Sequence, residues 1–121
     1  YQSIDAISNN YDVIFSNQAI EHIPHPLETL SLLKKKLNIN GIMFHKFPSS
    51  FLLKQQLLNN YIPKKDCAHP LEHINIFNKK CFEKMCQLLD LKKVKIPHLK
   101  FKNKVKFCKN NFLFNQIILR K

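Results

Sequence analysis

The sequence predicts an α/β fold built on parallel strands and ending in strands with one buried and one wet face. Three observations carry this. Two short apolar runs, Tyr11 to Phe15 and Ile42 to Phe44, are rich in β-branched and aromatic residues. Leucines at helical spacing separate them. Beyond Leu91 the apolar residues alternate with lysines at a period of two. Buried parallel strands read as short continuous apolar runs. Two such strands joined by a helix make a βαβ unit, whereas period two marks strands with one dry and one wet face.

Taken in order, Tyr1 to Asn10 is a polar connection, and Asn9-Asn10 reads as a turn. The run YDVIF follows as a strand buried on both faces. In doubly wound sheets ligands sit outside the carboxyl ends of the strands, which puts Ser16, Asn17 and Gln18 at the ligand edge. Pro26 suits the first turn of a helix, where its missing N–H costs nothing. Leu27, Leu30, Leu33 and Leu37 then form the apolar face. Glu28 near the start and Lys34, Lys35 and Lys36 near the end complement the helix dipole. Asn40-Gly41 breaks the helical pattern, Ile42 opens the second buried strand, and Pro48 closes it.

Residues 49–76 form a long excursion with a helical middle, in which Phe51, Leu52, Leu53, Leu57 and Leu58 can share one face. Long insertions between core elements often act as lids over a ligand, and this stretch is read as an acceptor-side lid. His69-Pro70-Leu71-Glu72-His73 matches the H-x-x-E-H pattern of some metallopeptidases. That chemistry needs both histidines on one face of a continuing helix. Ile74 to Phe77 does not continue one, so the segment reads as a loop. Asn78 is then an N-cap, with Phe77 and Phe82 placed for a hydrophobic staple. Phe82, Met85 and Leu89 make the inner face of the helix that follows, with Cys81 and Cys86 as packing residues, and Asp90-Leu91 ends it. Val94, Ile96, Leu99, Phe101, Val105 and Phe107 alternate with lysines, and Phe112 to Leu119 is a longer apolar strand.

The order and spacing of these segments resemble the second half of class I S-adenosylmethionine-dependent methyltransferases, with the small-molecule branch (methyltransferase type 11/12-like) the nearest. Tyr11-Asp12 resembles the opening of that family's fourth strand, and Glu21-His22-Ile23-Pro24 its post-strand loop. Leu37 to Ile42 resembles the turn before its fifth strand, and His73 to Leu91 resembles its segment of His, Phe-Ser, helix and Gly-Phe. Asp90-Leu91 departs from the family's usual Gly-Phe. The resemblance implies the C-terminal part of a Rossmann-like methyltransferase sheet, parallel strands plus a terminal antiparallel β-hairpin, and the cofactor S-adenosylmethionine. It further implies a small-molecule acceptor, a cofactor edge at Ser16, Asn17 and Gln18, and a site pair, Glu21 and His22, that either acts on the acceptor as general base or ties the loop to the next helix. The whole chain, residues 1–121, reads as a partial domain. Its one glycine, Gly41, cannot supply the glycine-rich loop of the cofactor-binding half.

Some ubiquinone-pathway and small-RNA 2′-O-methyltransferases resemble the same site, with a Glu-x-x-Glu-His cluster and a later His on a divalent metal. Glu21, His22 and His73 match that cluster, but Gln18 stands where its first carboxylate would be. A hard cation is weakened by losing a carboxylate, so the sequence favours no metal.

The formal net charge of +12 suits a polyanionic partner as well as a solvated surface. About half the basic residues follow Leu91, so nucleic-acid binding or RNA methylation through a basic C-terminal region is the second functional reading, and an inactive fragment or scaffold the third. None of Cys67, Cys81, Cys86 and Cys108 forms a C-x-x-C pair, and the N-terminus lacks the pattern of a secretory signal. The thiols read as reduced and the protein as cytoplasmic. No apolar run is long enough to span a membrane.

Overall fold

The computed structural model describes residues 3–51, 53–62, 67–69, 72–94 and 114–121. The chain is mixed α/β. Strand β1 (Tyr11–Asn17) leads through helix α1 (Pro26–Lys35) into β2 (Leu37–Pro48). Helices α2 (Leu53–Leu58) and α3 (Lys79–Leu88) follow, then β3 (Lys92–Lys93) and β4 (Phe114–Arg120). The four strands form one sheet in the order β1-β2-β4-β3. β1 and β2 run parallel, with Phe15 beside Phe44 and Asn17 beside Lys46. β4 lies antiparallel to both β2 and β3. The strands expected between Leu99 and Phe107 lie outside the described residues. No described helix is long and apolar enough to cross a membrane.

Pro26 occupies the first turn of α1 as its locked φ favours. The helix ends at Lys35, and Leu37 belongs to β2 rather than to the helix. The chain turns early because the Lys36 carbonyl accepts from the Tyr11 N–H at 2.8 Å, stitching the start of β2 to β1. Leu37 is still fully buried. The break expected at Asn40-Gly41 is a bulge within β2. Tyr11 pairs with Leu37 but Val13 already pairs with Ile42. Asn40 takes a left-handed φ of 64° there. A Cβ on Gly41 would sit 2.8 Å from Leu37 Cγ, so the close approach requires glycine.

The core lies on one face of the sheet. Met43, Phe47 and Leu119 meet Leu30 of α1 and Phe82 and Cys86 of α3, with Ile20, Phe77 and Leu91 closing the cluster. Phe82 stacks at centroid distances of 4.6 Å from Phe47 and 5.7 Å from Phe77. The staple thus forms as the sequence suggests. The Asn78 side chain caps α3 by accepting from the Cys81 N–H at 2.7 Å.

Three expectations fail here. β1 is not buried on both faces: Val13 and Phe15 are 58% and 65% exposed. The described helices cover only the face of Met43 and Phe47, and on the other face Phe15 stacks on Phe44 at 5.2 Å with no described helix above them. Phe51, Leu57 and Leu58 share no buried face, because α2 joins no core cluster and these residues stand exposed. Cys81 is exposed at the capped end of α3, whereas Cys86, five residues on, is buried.

Helix α3 ends in a Schellman motif. The Leu91 N–H reaches the Cys86 carbonyl at 2.9 Å, and the Asp90 N–H reaches that of Gln87 at 3.0 Å. The left-handed position, with φ of 51°, is Asp90. A carboxylate there pays both the Cβ strain and repulsion from the helix C-terminus. Asp90→Gly is expected to stabilise the fold by about 0.5–1 kcal/mol and to raise the melting temperature by a few degrees. An unchanged or lower melting point in calorimetry would refute this account of the cap.

Candidate functional site

The site lies past the carboxyl ends of the parallel pair. β1 runs out at Asn17, and Gln18 turns the chain with a left-handed φ of 49°. The Gln18 N–H donates to the Lys46 carbonyl at 2.8 Å, which keeps the turn tied to β2. Ser16 is half-buried, while Asn17 and Gln18 are exposed, and among the described residues neither amide side chain makes a hydrogen bond. The Gln18 N–H is thus engaged, while the side chains of Asn17 and Gln18 face solvent.

A 3-10 turn, Ile20–His22, comes next. Ile20 is 1% exposed and pins the turn to the core. Glu21 beside it is carried inward and is also buried, with no hydrogen-bond partner among the described residues on either carboxylate oxygen. His22 points outward. Its Nδ1 lies 2.7 Å from the Glu72 carbonyl. A carbonyl only accepts, so Nδ1 carries the proton and Nε2 is left with its lone pair.

The excursion after β2 returns to this turn. The Asn75 N–H donates to the Glu21 carbonyl at 2.9 Å, and Asn75 Nδ2 to the Ile23 carbonyl at 2.6 Å. These bonds bring His73 to His22, with ring centroids 4.8 Å apart and edge to face. His73 Nδ1 faces the Cys67 carbonyl at 3.2 Å and by the same reasoning is protonated. His69 lies farther out, its ring 5.9 Å from that of His73 and its Nδ1 3.0 Å from the Glu72 carboxylate. One helical-type bond, His73 N–H to His69 carbonyl at 3.1 Å, spans the pair, but the described chain then continues as a loop. The metallopeptidase geometry is not formed.

The structure thus gathers Glu21, His22 and His73 from positions some fifty residues apart in sequence, with one possible ligand atom from each lying within 4.8 Å of the others. Ser16, Asn17 and Gln18 lie on the strand end and turn just before this group.

Sequence reasoning overlooked His45. It is fully buried on β2, its ring 5.5 Å from Phe82, and neither ring nitrogen has a hydrogen-bond partner. Burial pushes its pKa down to about 4. Period two was the available signal, since Met43, His45 and Phe47 fall on one face of the strand. It pairs across the ladder with Ser16 and is not one of the gathered Glu21, His22 and His73 group. A cleft of about 370 Å³ between α3 and β3–β4 is lined in part by Glu83, Cys86 and Lys93. Glu83 and Lys93 pair with each other, and burial together with the Glu83 charge pushes the Cys86 thiol up to about 12. An un-ionised thiol is a poor nucleophile, so this cleft offers no reactive group.

Residues 2–96 fit the family model of a methyltransferase domain. No curated protein matches the chain.

Proposed function

The chain belongs to the methyltransferase-domain family, and from that premise we propose that it is an S-adenosylmethionine-dependent enzyme acting on a small-molecule acceptor. The observation that carries the reading is the turn after β1. It places exposed amide side chains, without a hydrogen-bond partner among the described residues, and a buried carboxylate at the carboxyl edge of the parallel pair, where doubly wound sheets hold ligands.

When bound, S-adenosylmethionine supplies a methyl group activated by its sulfonium. Asn17 and Gln18 orient it through their side-chain amides, with Ser16 supporting the turn. Held there, it would supply that methyl to an acceptor atom, with the carbon–sulfur electron pair left on sulfur. Glu21 and His22 promote loss of the acceptor's proton, either directly or through the group they hold. The rest of the barrier falls by holding acceptor and methyl in line. The described end of the 49–76 excursion is tied to the site through Asn75, which supports reading that excursion as a lid on the acceptor side.

The test is a calorimetric titration of S-adenosylmethionine into the protein at its natural length. That length matters because the single glycine of these 121 residues lies in the β2 bulge, and no glycine-rich loop is among them. Saturable binding is expected, weakened about tenfold by Asn17→Ala, the size of one lost hydrogen bond to a charged ligand. Absence of binding by the folded protein would remove the reading and leave a scaffold. The net charge of +12 supports a second reading, in which the acceptor or partner is a nucleic acid. RNA binding that falls steeply with salt would favour it.

A further inference from the structure

We propose that Glu21, His22 and His73 hold the primary ammonium group of an amine, and that this amine is the acceptor. The second half rests on the methyltransferase reading; the first does not. What the three side chains offer is a set of hydrogen-bond acceptors. The carbonyls of Glu72 and Cys67 take the Nδ1 protons of His22 and His73, which leaves each ring its Nε2 lone pair. The Asn75 N–H and Nδ2 donate to the Glu21 and Ile23 carbonyls. The donors that hold the turn are thus engaged, and what remains for a ligand is a carboxylate and two imidazole lone pairs.

The Glu21 carboxylate sets the charge. It is 2% exposed, and no hydrogen bond or ion pair from a described residue reaches it. Burying a carboxylate without a partner is strongly unfavourable. The core anchor Ile20 and the bonds from Asn75 nevertheless hold the turn that puts it there. A cation supplies the missing partner, and an anion is repelled. His22 is exposed and His73 half-buried, so the ligand arrives from the side of the imidazoles and meets Glu21 at the back.

Spacing and donor count select the cation. One nitrogen of each ring and one oxygen of Glu21 lie within 4.8 Å of one another. An ammonium points three N–H bonds tetrahedrally, and with each acceptor about 2.8–3.0 Å from its nitrogen the acceptors stand about 4.6–4.9 Å apart. The cluster matches that span without rearrangement. An alcohol brings one donor and no charge, and a quaternary ammonium brings charge and no donor. A primary ammonium serves all three acceptors, with charge-assisted hydrogen bonds throughout. Once held, it can pass one proton to an imidazole: the Nε2 lone pair forms the new N–H bond, and the old N–H pair stays on the amine nitrogen. The amine is then a neutral nucleophile.

The experiment uses the protein at its natural length, with EDTA present so that no metal ion mediates binding. n-Butylammonium chloride is the probe, followed by calorimetry and by the nitrogen NMR signals of the histidine rings. n-Butanol, which lacks the charge, and n-butyltrimethylammonium, which lacks the N–H donors, are the controls. Saturable binding of one probe per chain is expected, with shifts at Nε2 of His22 and His73. Both controls should bind at least about tenfold more weakly, the size of one hydrogen bond to a charged group. Glu21→Gln and His73→Phe, each checked for folding by circular dichroism, should weaken binding about tenfold, whereas His25→Gln should leave it unchanged. No saturable binding, equal binding of butyltrimethylammonium, or indifference to both folded variants would overturn the proposal. Should the variants fail to fold, the three probes on the unaltered protein still decide. Displacement of the probe by S-adenosylmethionine would overturn it too, since the site would then hold the cofactor's own amino group. Butylammonium binding without S-adenosylmethionine binding would remove the methyltransferase reading and leave the ammonium site standing.

Discussion

Replacing Phe82 by alanine is expected to destabilise the protein by about 3–5 kcal/mol, the cost of a large cavity in a packed core. Phe82 is fully buried and touches the rings of Phe47, Phe77 and His45, so it joins α3, the loop before it and β2 in one aromatic cluster. None of these neighbours can collapse into the space alone. Phe47 is locked in the strand ladder, and Phe77 is fixed by the cap one residue later. Domains of this size are stable by only about 5–15 kcal/mol, so the variant should unfold in low urea or be partly unfolded at rest. Leu88→Ala on the same helix is the control. Leu88 is 63% exposed, and its loss should shift stability by no more than about 0.5 kcal/mol. Equal effects of the two changes on the urea midpoint would mean that α3 does not pack by this face.

The residues that made this helix legible are local. An Asn with its acceptor three residues from the bonded N–H, a Phe on either side of the cap and an apolar face at helical spacing all act within one turn or two. The βαβ unit was legible for the same reason: Pro26, the spaced leucines and the break at Asn40-Gly41 each state a backbone preference. Leu37 shows the limit. Its spacing continues the helix, but a hydrogen bond from Tyr11, distant in sequence, decides that it starts a strand. The exposure of Val13 and Phe15 shows it again. An apolar run says that a strand prefers burial, not which of its faces a helix will cover.

The candidate site divides along the same line. Glu21 and His22 could be singled out because they follow a strand directly. His73 comes to them through Asn75, whose two bonds to the loop carbonyls no local pattern foretells, and through the Glu72 carbonyl that meets His22. The inward turn of Glu21 depends on Ile20 finding the core. Chemistry-bearing residue types were therefore visible, while their protonation states were not, because the carbonyls that set them belong to Glu72 and Cys67 across a long excursion.

Acidification should unfold the protein through His45. Its pKa is about 4 in the folded state against an ordinary 6.5, because an imidazolium cannot be solvated between Phe82 and the sheet. The unfolded chain therefore binds the proton first. Between pH 6.5 and 4 the unfolded state carries more protons, and stability falls as pH falls through that window. Above 6.5 the contribution is flat. A depression of this size corresponds to about 3 kcal/mol once pH reaches 4. His45→Leu keeps nearly the same volume and cannot titrate, so its stability should lose that part of the slope. At pH 7 it should be no less stable than the parent, because two unsatisfied ring nitrogens leave the core. The measurement is the urea midpoint of both proteins across pH 4 to 7.5. Every other titratable group is common to the two proteins and cancels in the difference. Parallel curves would mean that His45 is hydrated or bonded in solution. Curves that converge toward pH 7 and separate below 6.5 would place the acid sensitivity of the fold on this one side chain.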